Sequence, residues 1–308
     1  MSVTTPFISV VIATRNRGDS VVHTVNSILK NDYPAFEIRV VDQSADDVCE
    51  QKMRRYAEDN RIFYQRTRSV GMAKARNMAI AQSKGTLIAI TDDDCIVSDR
   101  WLSAIHATFI AHPEVTIVFG NVLPGDYDAT SGFIPSYCRR HSKIVSDPLD
   151  KPDIDGIGAC MAMRKSVWLT FAGFDEMLGA GSLLKSSSEG DLVIHALHQG
   201  QQVCENPDVF VVHNGFRTWV QGAELIGRYW YGTGAMYGKH LKLYPISTFI
   251  TLALLAWRWA FGTSRVADSL GEDSQKGARL QAFVSGFFKG LWLRIDRKTG
   301  HFVTTYER

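Results

Sequence analysis

The sequence has little net charge and few cysteines. Its 34 Lys and Arg residues nearly balance 32 Asp and Glu residues, so the formal net charge is +2. Such a balance argues against a dedicated nucleic-acid-binding protein. The five cysteines lie far apart, without the C-x-x-C spacing of zinc sites or redox pairs. These features favour a reducing compartment, which we expect to be the cytoplasm.

The sequence also lacks a long apolar run. Its longest uncharged stretch, residues 243–257, has 15 residues, whereas a membrane-spanning helix needs roughly 20 apolar residues. Near the N-terminus, Arg15 and Arg17 follow the first apolar run instead of preceding it, as they would in a secretory signal peptide. We therefore expect neither a transmembrane helix nor a signal peptide.

Through residue 213, predicted strands alternate with predicted helices. This alternation is typical of an α/β domain with a mostly parallel sheet and helices on both faces. The predicted strands cover residues 8–13, 37–41, 62–65, 86–91, 115–122, 156–163, 202–204 and 209–212. Residues 123–155 are rich in Pro, Gly, Asp and Ser and predict a long loop. We predict an α/β domain over 1–214, followed by a helical region over 215–308.

Three adjacent carboxylates end one of the predicted buried strands. Asp92, Asp93 and Asp94 directly follow the apolar run 86–91. Neighbouring like charges repel, so the triplet indicates a bound cation, and oxygen ligands favour Mg²⁺ or Mn²⁺ in contact with phosphate. A solvated acidic turn is the alternative. The strand context favours the metal, because open α/β sheets bind ligands at the carboxyl ends of their strands.

Polar residues follow two other predicted strands. Thr14 and Arg15 follow the first strand and Asp42 follows the second, where a carboxylate suits hydrogen bonding to a ribose or a base. Taken singly, Thr14 and Asp42 are equally well explained as turn residues. Neither the G-x-G-x-x-G fingerprint nor the Walker lysine loop follows the first strand. A nicotinamide enzyme or a P-loop enzyme is therefore disfavoured.

Six short motifs occur in a fixed order over about residues 7–214. They are Ile8–Arg15, Val41-Asp42, Gly71-x-x-x-Ala75-Arg76-Asn77, Asp92–Asp94, Gly173-Phe174-Asp175-Glu176 and Ser188-Glu189-Gly190-Asp191-Leu192. Together they resemble the family-2 type of inverting glycosyltransferases, which have the GT-A fold. The ordered set is far more specific than any single member.

The resemblance implies roles for the residues at the strand ends. Thr14, Arg15 and Asp42 are implied to contact the nucleotide, and Arg76 is implied to lie near the donor sugar nucleotide.

The same resemblance implies roles for the three residues of the acidic triplet. Asp92 and Asp93 are implied to contact the donor, and Asp94 together with Asp92 is implied to bind the metal. His213 matches a histidine often found after the last strand of such enzymes, where it would contact the metal or the diphosphate. A structural role explains a lone histidine equally well.

The resemblance leaves two candidates for the catalytic base. Family members often read Gly-Glu-Asp-x-Asp-Leu, with the first aspartate as base. Aligning on Asp191 and Leu192 places Glu189 at the base position and Ser188 where the glutamate usually stands, which is a departure. Side chains two residues apart on a helix point about 200° apart, so at most one of Glu189 and Asp191 faces the acceptor. We favour Glu189, although both acids also suit a helix N-terminus.

The predicted activity is non-processive transfer of a sugar, with inversion, from a nucleoside diphosphate sugar to a hydroxyl of a saccharide or lipid-linked acceptor. A divalent metal neutralises the leaving diphosphate, and a carboxylate takes the proton of the acceptor. The alternatives are a sugar-phosphate nucleotidyltransferase, although its glycine-rich loop is poorly matched here, and an inactive protein that binds sugar nucleotides.

Residues 215–308 combine a basic excess with aromatic side chains. They hold 13 Lys and Arg against 6 Asp and Glu, and five of the seven tryptophans. This composition suits peripheral contact with the inner face of the cell membrane, where lipid-linked acceptors are found. Core packing or a homo-oligomer interface explains it equally well.

Overall fold

At the centre of the computed structural model, which describes residues 5–261 and 276–303, lies a mixed nine-stranded sheet. The strands are β1 (Ile8–Thr14), β2 (Phe36–Asp42), β3 (Ile62–Arg66), β4 (Leu87–Asp92), β5 (Cys95–Val97), β6 (Val115–Pro124), β7 (Gly132–Phe133), β8 (Lys143–Val145), β9 (Cys160–Arg164), β10 (Gln202–His213) and β11 (Arg217–Thr218). Their order in the sheet is β3-β2-β1-β4-β9-β6-β10-β5, and β8 also pairs with β10. Strands β7 and β11 form a separate pair.

Helices cover both faces of this sheet, as predicted. They are α1 (Gly18–Leu29), α2 (Val48–Met53), α3 (Met72–Ala81), α4 (Trp101–Ala111), α5 (Lys165–Thr170), α6 (Ser188–His198), α7 (Trp219–Leu243), α8 (Pro245–Phe261) and α9 (Lys276–Trp292), with 3-10 helices at Arg54–Tyr56 and Pro148–Asp153. One apolar core packs α1 and α4 on the first face, through residues such as Val25 and Trp101. A second core packs α3 and α6 on the other face, through Ile80 and Leu192. The predicted α/β class is therefore confirmed.

Strand pairing brings the polar strand ends together. The parallel pairing of β1 with β2 and β4 aligns Thr14 with Asp42 and Ala13 with Asp92. At the far edge, β10 runs antiparallel to β5 and sets His213 opposite Cys95. The carboxyl ends of β1, β2 and β4 and the end of β10 therefore meet around the acidic triplet.

Several predicted boundaries differ from the structure. The two strands predicted at 202–204 and 209–212 are one strand, β10, whose register is irregular between Asn206 and Phe210. Pro207 explains the irregularity, because proline has no N–H to donate to a neighbouring strand. The predicted loop 123–155 contains β7, β8 and a 3-10 helix, and the strand predicted from residue 156 begins at Cys160.

The C-terminal helices α7 and α9 touch backbone to backbone. Gly234 and Gly238 on α7 face Gly286 and Gly290 on α9, and a Cβ at Gly286 would lie 1.9 Å from the Tyr231 carbonyl oxygen. Only glycine permits this approach. Within the part of the chain that the structure describes, no helix combines the length and hydropathy needed to cross a bilayer. Residues 262–275 and 304–308 of the predicted helical region lie outside the described residues, and the division at residue 214 stays a prediction.

Candidate active site

The aspartate triplet is partly neutralised by an arginine of the chain itself. Arg17 Nη1 donates to Asp93 Oδ1 at 2.9 Å and to Asp94 Oδ2 at 2.6 Å. Thr14 Oγ1 donates to Asp93 Oδ2 at 2.6 Å. Burial raises the pKa of Asp93 to about 6, although the Arg17 charge acts in the opposite direction. The repulsion that we expected a metal to relieve is thus relieved in part by Arg17.

Asp94 and His213 face each other across the end of the sheet. The Asn214 backbone N–H donates to the Asp94 carbonyl at 2.9 Å and ties the end of β10 to the acidic turn. His213 Nδ1 lies 2.8 Å from the Pro135 carbonyl oxygen, which can only accept. In the neutral imidazole, Nε2 therefore carries the lone pair, and it points at Asp94 Oδ1 from 3.1 Å.

Two lone pairs facing each other need a cation between them. The buried Asp94 Oδ1 makes no well-aligned hydrogen bond, so a proton or a metal ion fits this position. Burial lowers the pKa of His213, but its contact with Asp94 outweighs burial and the pKa is raised. The Cys95 sulfur also lies within 4.8 Å of both ligand atoms. Burial raises the pKa of that thiol well above its ordinary value. Mn²⁺ and Mg²⁺ favour oxygen ligands over sulfur, so Asp94 and His213 are the better ligands.

A buried arginine joins the first aspartate to the glutamate predicted as base. Gly71, at φ +128°, turns the chain into α3, a conformation that few residues other than glycine adopt. Arg76 on α3 has a side chain only 1% exposed; its Nη2 lies 3.1 Å from Asp92 Oδ1, and its Nη1 contacts Glu189 Oε1. Burial alone would raise the pKa of Glu189, but the Arg76 charge lowers it. Glu189 is therefore ionised and held close to Asp92.

Asp191 occupies a different environment from Glu189. Its carboxylate is buried, 2.8 Å from Lys239 Nζ and 2.8 Å from His240 Nε2, both on α7. Lys239 outweighs burial and holds the pKa of Asp191 well below its ordinary value. Among the described hydrogen bonds and ion pairs, none joins Asp191 to the acidic triplet. The two candidates thus point to opposite sides of α6, as helix geometry predicts.

The predicted nucleotide contacts lie at the end of β1 and β2. Asp42 is fully buried, and its oxygens accept hydrogen bonds from Tyr64 Oη at 2.5 Å and from the Ser44 backbone N–H at 2.8 Å. Arg15 is exposed at the same edge. The structure places Thr14, Arg15 and Asp42 beside the triplet, and their contacts with a nucleotide stay predictions.

Sequence reasoning missed three polar side chains of this region. Arg17 was seen only as a charge after the first strand, and Tyr64 as part of the third. Lys239 lies in a helix whose glycines and aromatic residues gave no sign of a buried cation. A buried lysine indicates nearby acids, because a buried charge needs a partner. The spacing of residues along the helix does not show that Lys239 is buried, so this signal could not be used.

Comparison with known proteins places this arrangement in a family. A family model described as glycosyl transferase family 2 matches residues 9–169, slightly more than half of the chain. Glycosyltransferase AglE of Haloferax volcanii is 32% identical over 126 residues, which cover 40% of this chain and 41% of that protein. The alignment thus spans less than half the length of that relative.

Solved structures share the fold at low sequence identity. S. aureus TarS aligns with a TM-score of 0.64 and 17% identity over 93% of this chain and 81% of that one. Mannosyltransferase PcManGT from Pyrobaculum calidifontis, in complex with GDP-Man and Mn²⁺, aligns with a TM-score of 0.56 and 20% identity over 93% of this chain and 87% of that one. These likenesses confirm the predicted GT-A fold, and with the family match they show that the chain belongs to glycosyl transferase family 2.

Proposed function

We propose that this protein is a non-processive, inverting glycosyltransferase that transfers a sugar from a nucleoside diphosphate sugar to an acceptor hydroxyl. The observation that carries the proposal is that Arg76 contacts both Asp92 and the ionised Glu189. Asp92 in turn lies beside Asp94 and His213. A charged strand edge suited to a metal diphosphate therefore lies next to the carboxylate that we propose as base. The donor class is supported by PcManGT with GDP-Man and by TarS with UDP-GlcNAc.

Asp94 and His213, with Asp92 beside them, would hold a divalent cation. The facing lone pairs of Asp94 Oδ1 and His213 Nε2 fit such an ion, and carboxylate and imidazole ligands suit Mn²⁺ and, less well, Mg²⁺. When bound, the ion supplies positive charge that stabilises the departing diphosphate.

Glu189 is the residue that we propose as base. Arg76 keeps it ionised, so its carboxylate can accept the proton of the acceptor hydroxyl as the new bond forms. A single base and an in-line displacement invert the anomeric carbon. Asp191 is already held by Lys239 and His240 and is proposed as a structural residue. The acceptor is a saccharide or a lipid-linked glycan.

Donor binding tests the metal and nucleotide assignments. Calorimetric titration with UDP-, GDP- and dTDP-sugars, with and without Mn²⁺, should show metal-dependent affinity for one of these classes. Asp94→Ala should abolish that dependence, whereas Asp99→Ala, an exposed acid on the same segment, should not. Undiminished binding by Asp94→Ala in chelator would contradict the metal site.

Turnover tests the base. Glu189→Gln should keep donor affinity and reduce transfer at least roughly 10²-fold, as is typical on loss of a general base. If Asp191→Asn has that effect and Glu189→Gln does not, Asp191 is the base. Formation of a nucleoside diphosphate sugar, with release of pyrophosphate, from a nucleoside triphosphate and a sugar phosphate would indicate a nucleotidyltransferase. Binding without turnover across the donor panel would indicate an inactive protein.

We also propose that α8 and α9 rest on the inner face of the cell membrane, where a lipid-linked acceptor would be within reach. Both helices expose apolar side chains at helical spacing: Ile246, Phe249, Ile250 and Leu254 on α8, and Leu280, Val284, Phe288 and Trp292 on α9. Every charged residue of these two helices is basic. Arg258 pairs with Asp153 and Arg279 is buried, so the positive charge is modest. Exposed apolar side chains accompanied by basic residues nevertheless suit an anionic bilayer better than a second copy of the same helices.

Liposome flotation tests this surface. The protein should float with vesicles that contain anionic lipid, and less so at high salt, because each basic residue contributes about 1 kcal/mol of screened attraction. Val284→Glu combined with Phe288→Glu should abolish flotation, and Leu169→Glu, on the exposed side of α5, should not. Protein that stays in solution with both kinds of vesicle, and elutes as a dimer, would instead assign this surface to self-association.

A further inference from the structure

The turn that carries Glu189 is supported from behind by α7. Lys185 and Ser187, just before α6, have φ values of +70° and +72°, which residues with a side chain adopt only when their surroundings hold them. Ser186 Oγ lies 3.2 and 3.1 Å from two backbone carbonyl oxygens of α7. Ser187 Oγ lies 3.1 Å from Thr233 Oγ1, also on α7. The entry to α6 is therefore shaped by contacts with the C-terminal region.

Within the first turn of α6, at Asp191, the contact with α7 becomes ionic. Lys239 is fully buried, and its Nζ donates at 2.8 Å to Asp175 Oδ2 and at 2.8 Å to the Asp191 carboxylate. His240 Nε2 lies 2.8 Å from Asp191 Oδ1. Since a buried charge needs its partner close by, Lys239 restricts the positions of the Asp175 and Asp191 carboxylates.

The segment after α9 joins the same cluster. The Phe302 backbone N–H donates to Asp175 Oδ2 at 2.8 Å, and the Phe302 ring lies 5.1 Å from Lys239 Nζ. Ile295 pairs with Phe302 in an isolated bridge, which closes this segment on itself. Lys239 thus connects the α6 helix, the Asp175 turn and the end of the described chain.

Asp191 and Glu189 share the first turn of α6 and point to opposite sides of it. A rotation or shift of that turn about its Asp191 anchor therefore moves Glu189 relative to Asp92 and Arg76. We infer that Lys239 is a positioning residue for the reaction: by holding Asp191 and Asp175 it fixes the Glu189 carboxylate opposite the acidic triplet. This inference rests on the proposed function, in which Glu189 is the base.

The first experiment compares two lysines of α7. Lys239→Met removes the buried charge, and Lys242→Met is the matched control, since Lys242 is exposed and donates to the Leu291 and Leu293 carbonyls. The wild type is first tested with UDP-GlcNAc, GDP-Man and dTDP-glucose in the presence of Mn²⁺. The sugar nucleotide that it hydrolyses fastest is then the substrate for both variants. Lys239→Met should lower kcat roughly 10- to 100-fold, the effect of misplacing a catalytic group by about 1 Å, with KM for the donor changed less than about threefold. Lys242→Met should leave both constants within about threefold.

A double variant separates positioning from simple loss of stability. In Lys239→Met, Asp175 and Asp191 both lose their shared cationic partner, so Tm should fall. Adding Asp191→Asn removes one of the two charges, and Tm should recover in part. Because the contact of Lys239 with Asp175 and Asp191 is still missing, kcat should stay low. A kcat that returns with Tm, or a Lys239→Met kcat equal to that of the wild type well below Tm, would overturn the inference.

Amide hydrogen exchange gives a readout that does not depend on turnover. Exchange at residues 186–192 should become faster in Lys239→Met than in Lys242→Met, while exchange in β1 and β4 stays the same. Unchanged exchange at 186–192 would refute this role of Lys239 even if the protein is a glycosyltransferase. Full activity of Glu189→Gln, or absence of hydrolysis by the wild type, would instead refute the proposed function. The exchange result would then still decide whether Lys239 holds the first turn of α6 in place.

Discussion

Replacing Arg76 by methionine is the sharpest perturbation of the candidate site. Its side chain is 1% exposed and lies between Asp92, whose side chain is 32% exposed, and Glu189, whose side chain is 15% exposed. Removing one partner of a buried ion pair typically costs about 3–5 kcal/mol. Because Asp92 has access to water, most of the cost falls on Glu189, and we expect the free energy of unfolding to drop by about 3 kcal/mol.

The same change should alter the pH dependence of catalysis. With Arg76 present, the folded protein holds the pKa of Glu189 below its ordinary value, so the ion pair stabilises the fold above the unfolded pKa and this contribution is lost as the pH falls below it. Without Arg76, burial is opposed by hydrogen bonds such as that from Ser188 Oγ but no longer by a buried cation, so the pKa of Glu189 should rise. Glu189, the proposed base, is then protonated over more of the acidic range, so the acid limb of the rate profile should move to higher pH and activity should recover as the pH rises.

Urea denaturation and sugar-nucleotide hydrolysis from pH 5 to pH 9 measure both effects. Arg66→Met, which removes a half-exposed ion pair with Glu50, is the control and should cost no more than about 1 kcal/mol. The double change Arg76→Met with Glu189→Gln should be less destabilising than Arg76→Met alone, because no buried charge is left unpaired. A loss below about 1 kcal/mol together with an unmoved acid limb would refute the ionic link between Arg76 and Glu189.

Three further predictions concern other parts of the molecule. Gly290→Ala would place a Cβ 2.1 Å from the Ala235 carbonyl oxygen, so thermal unfolding should show a loss of about 1–3 kcal/mol, whereas Gly277→Ala, with open space around it, should show none. Since the pKa of Asp93 is raised to about 6, its ionisation costs stability as the pH rises; in chelator, Asp93→Asn should gain up to about 3 kcal/mol relative to wild type between pH 4 and pH 7, and a constant difference would contradict the shift. Iodoacetamide should modify the native protein first at exposed Cys138, and equal labelling at buried Cys49 would show that the core opens.

The parts of the site that follow from strand order could be predicted from sequence. Parallel strands end at one edge, so the proximity of Thr14, Asp42 and Asp92 requires only that the first, second and fourth strands be neighbours. The opposite orientation of Glu189 and Asp191 follows from helix geometry alone. These features depend on periodicity, which a sequence displays directly.

The partners of those residues could not be predicted in the same way. The resemblance implied that His213 contacts the metal or the diphosphate, but its position opposite Asp94 depends on the pairing of β10 with β5, a strand of three residues that is too short to give a periodic signal. Arg17 and Lys239 have long side chains, and spacing along a helix tells which face they occupy but not which acid they meet. Lys239 and Asp191 are 48 residues apart in the sequence. Tertiary packing determines which residues pair over such distances.

The contact of Arg17 with Asp94 has a consequence for the order in which ligands bind. A guanidinium already neutralises this carboxylate through Oδ2, so a divalent ion that coordinates Oδ1 is opposed by the positive charge of Arg17. A diphosphate offers Arg17 another anionic partner and thereby weakens that repulsion. Metal and donor should consequently bind with positive cooperativity, and by linkage each must raise the affinity for the other by the same factor.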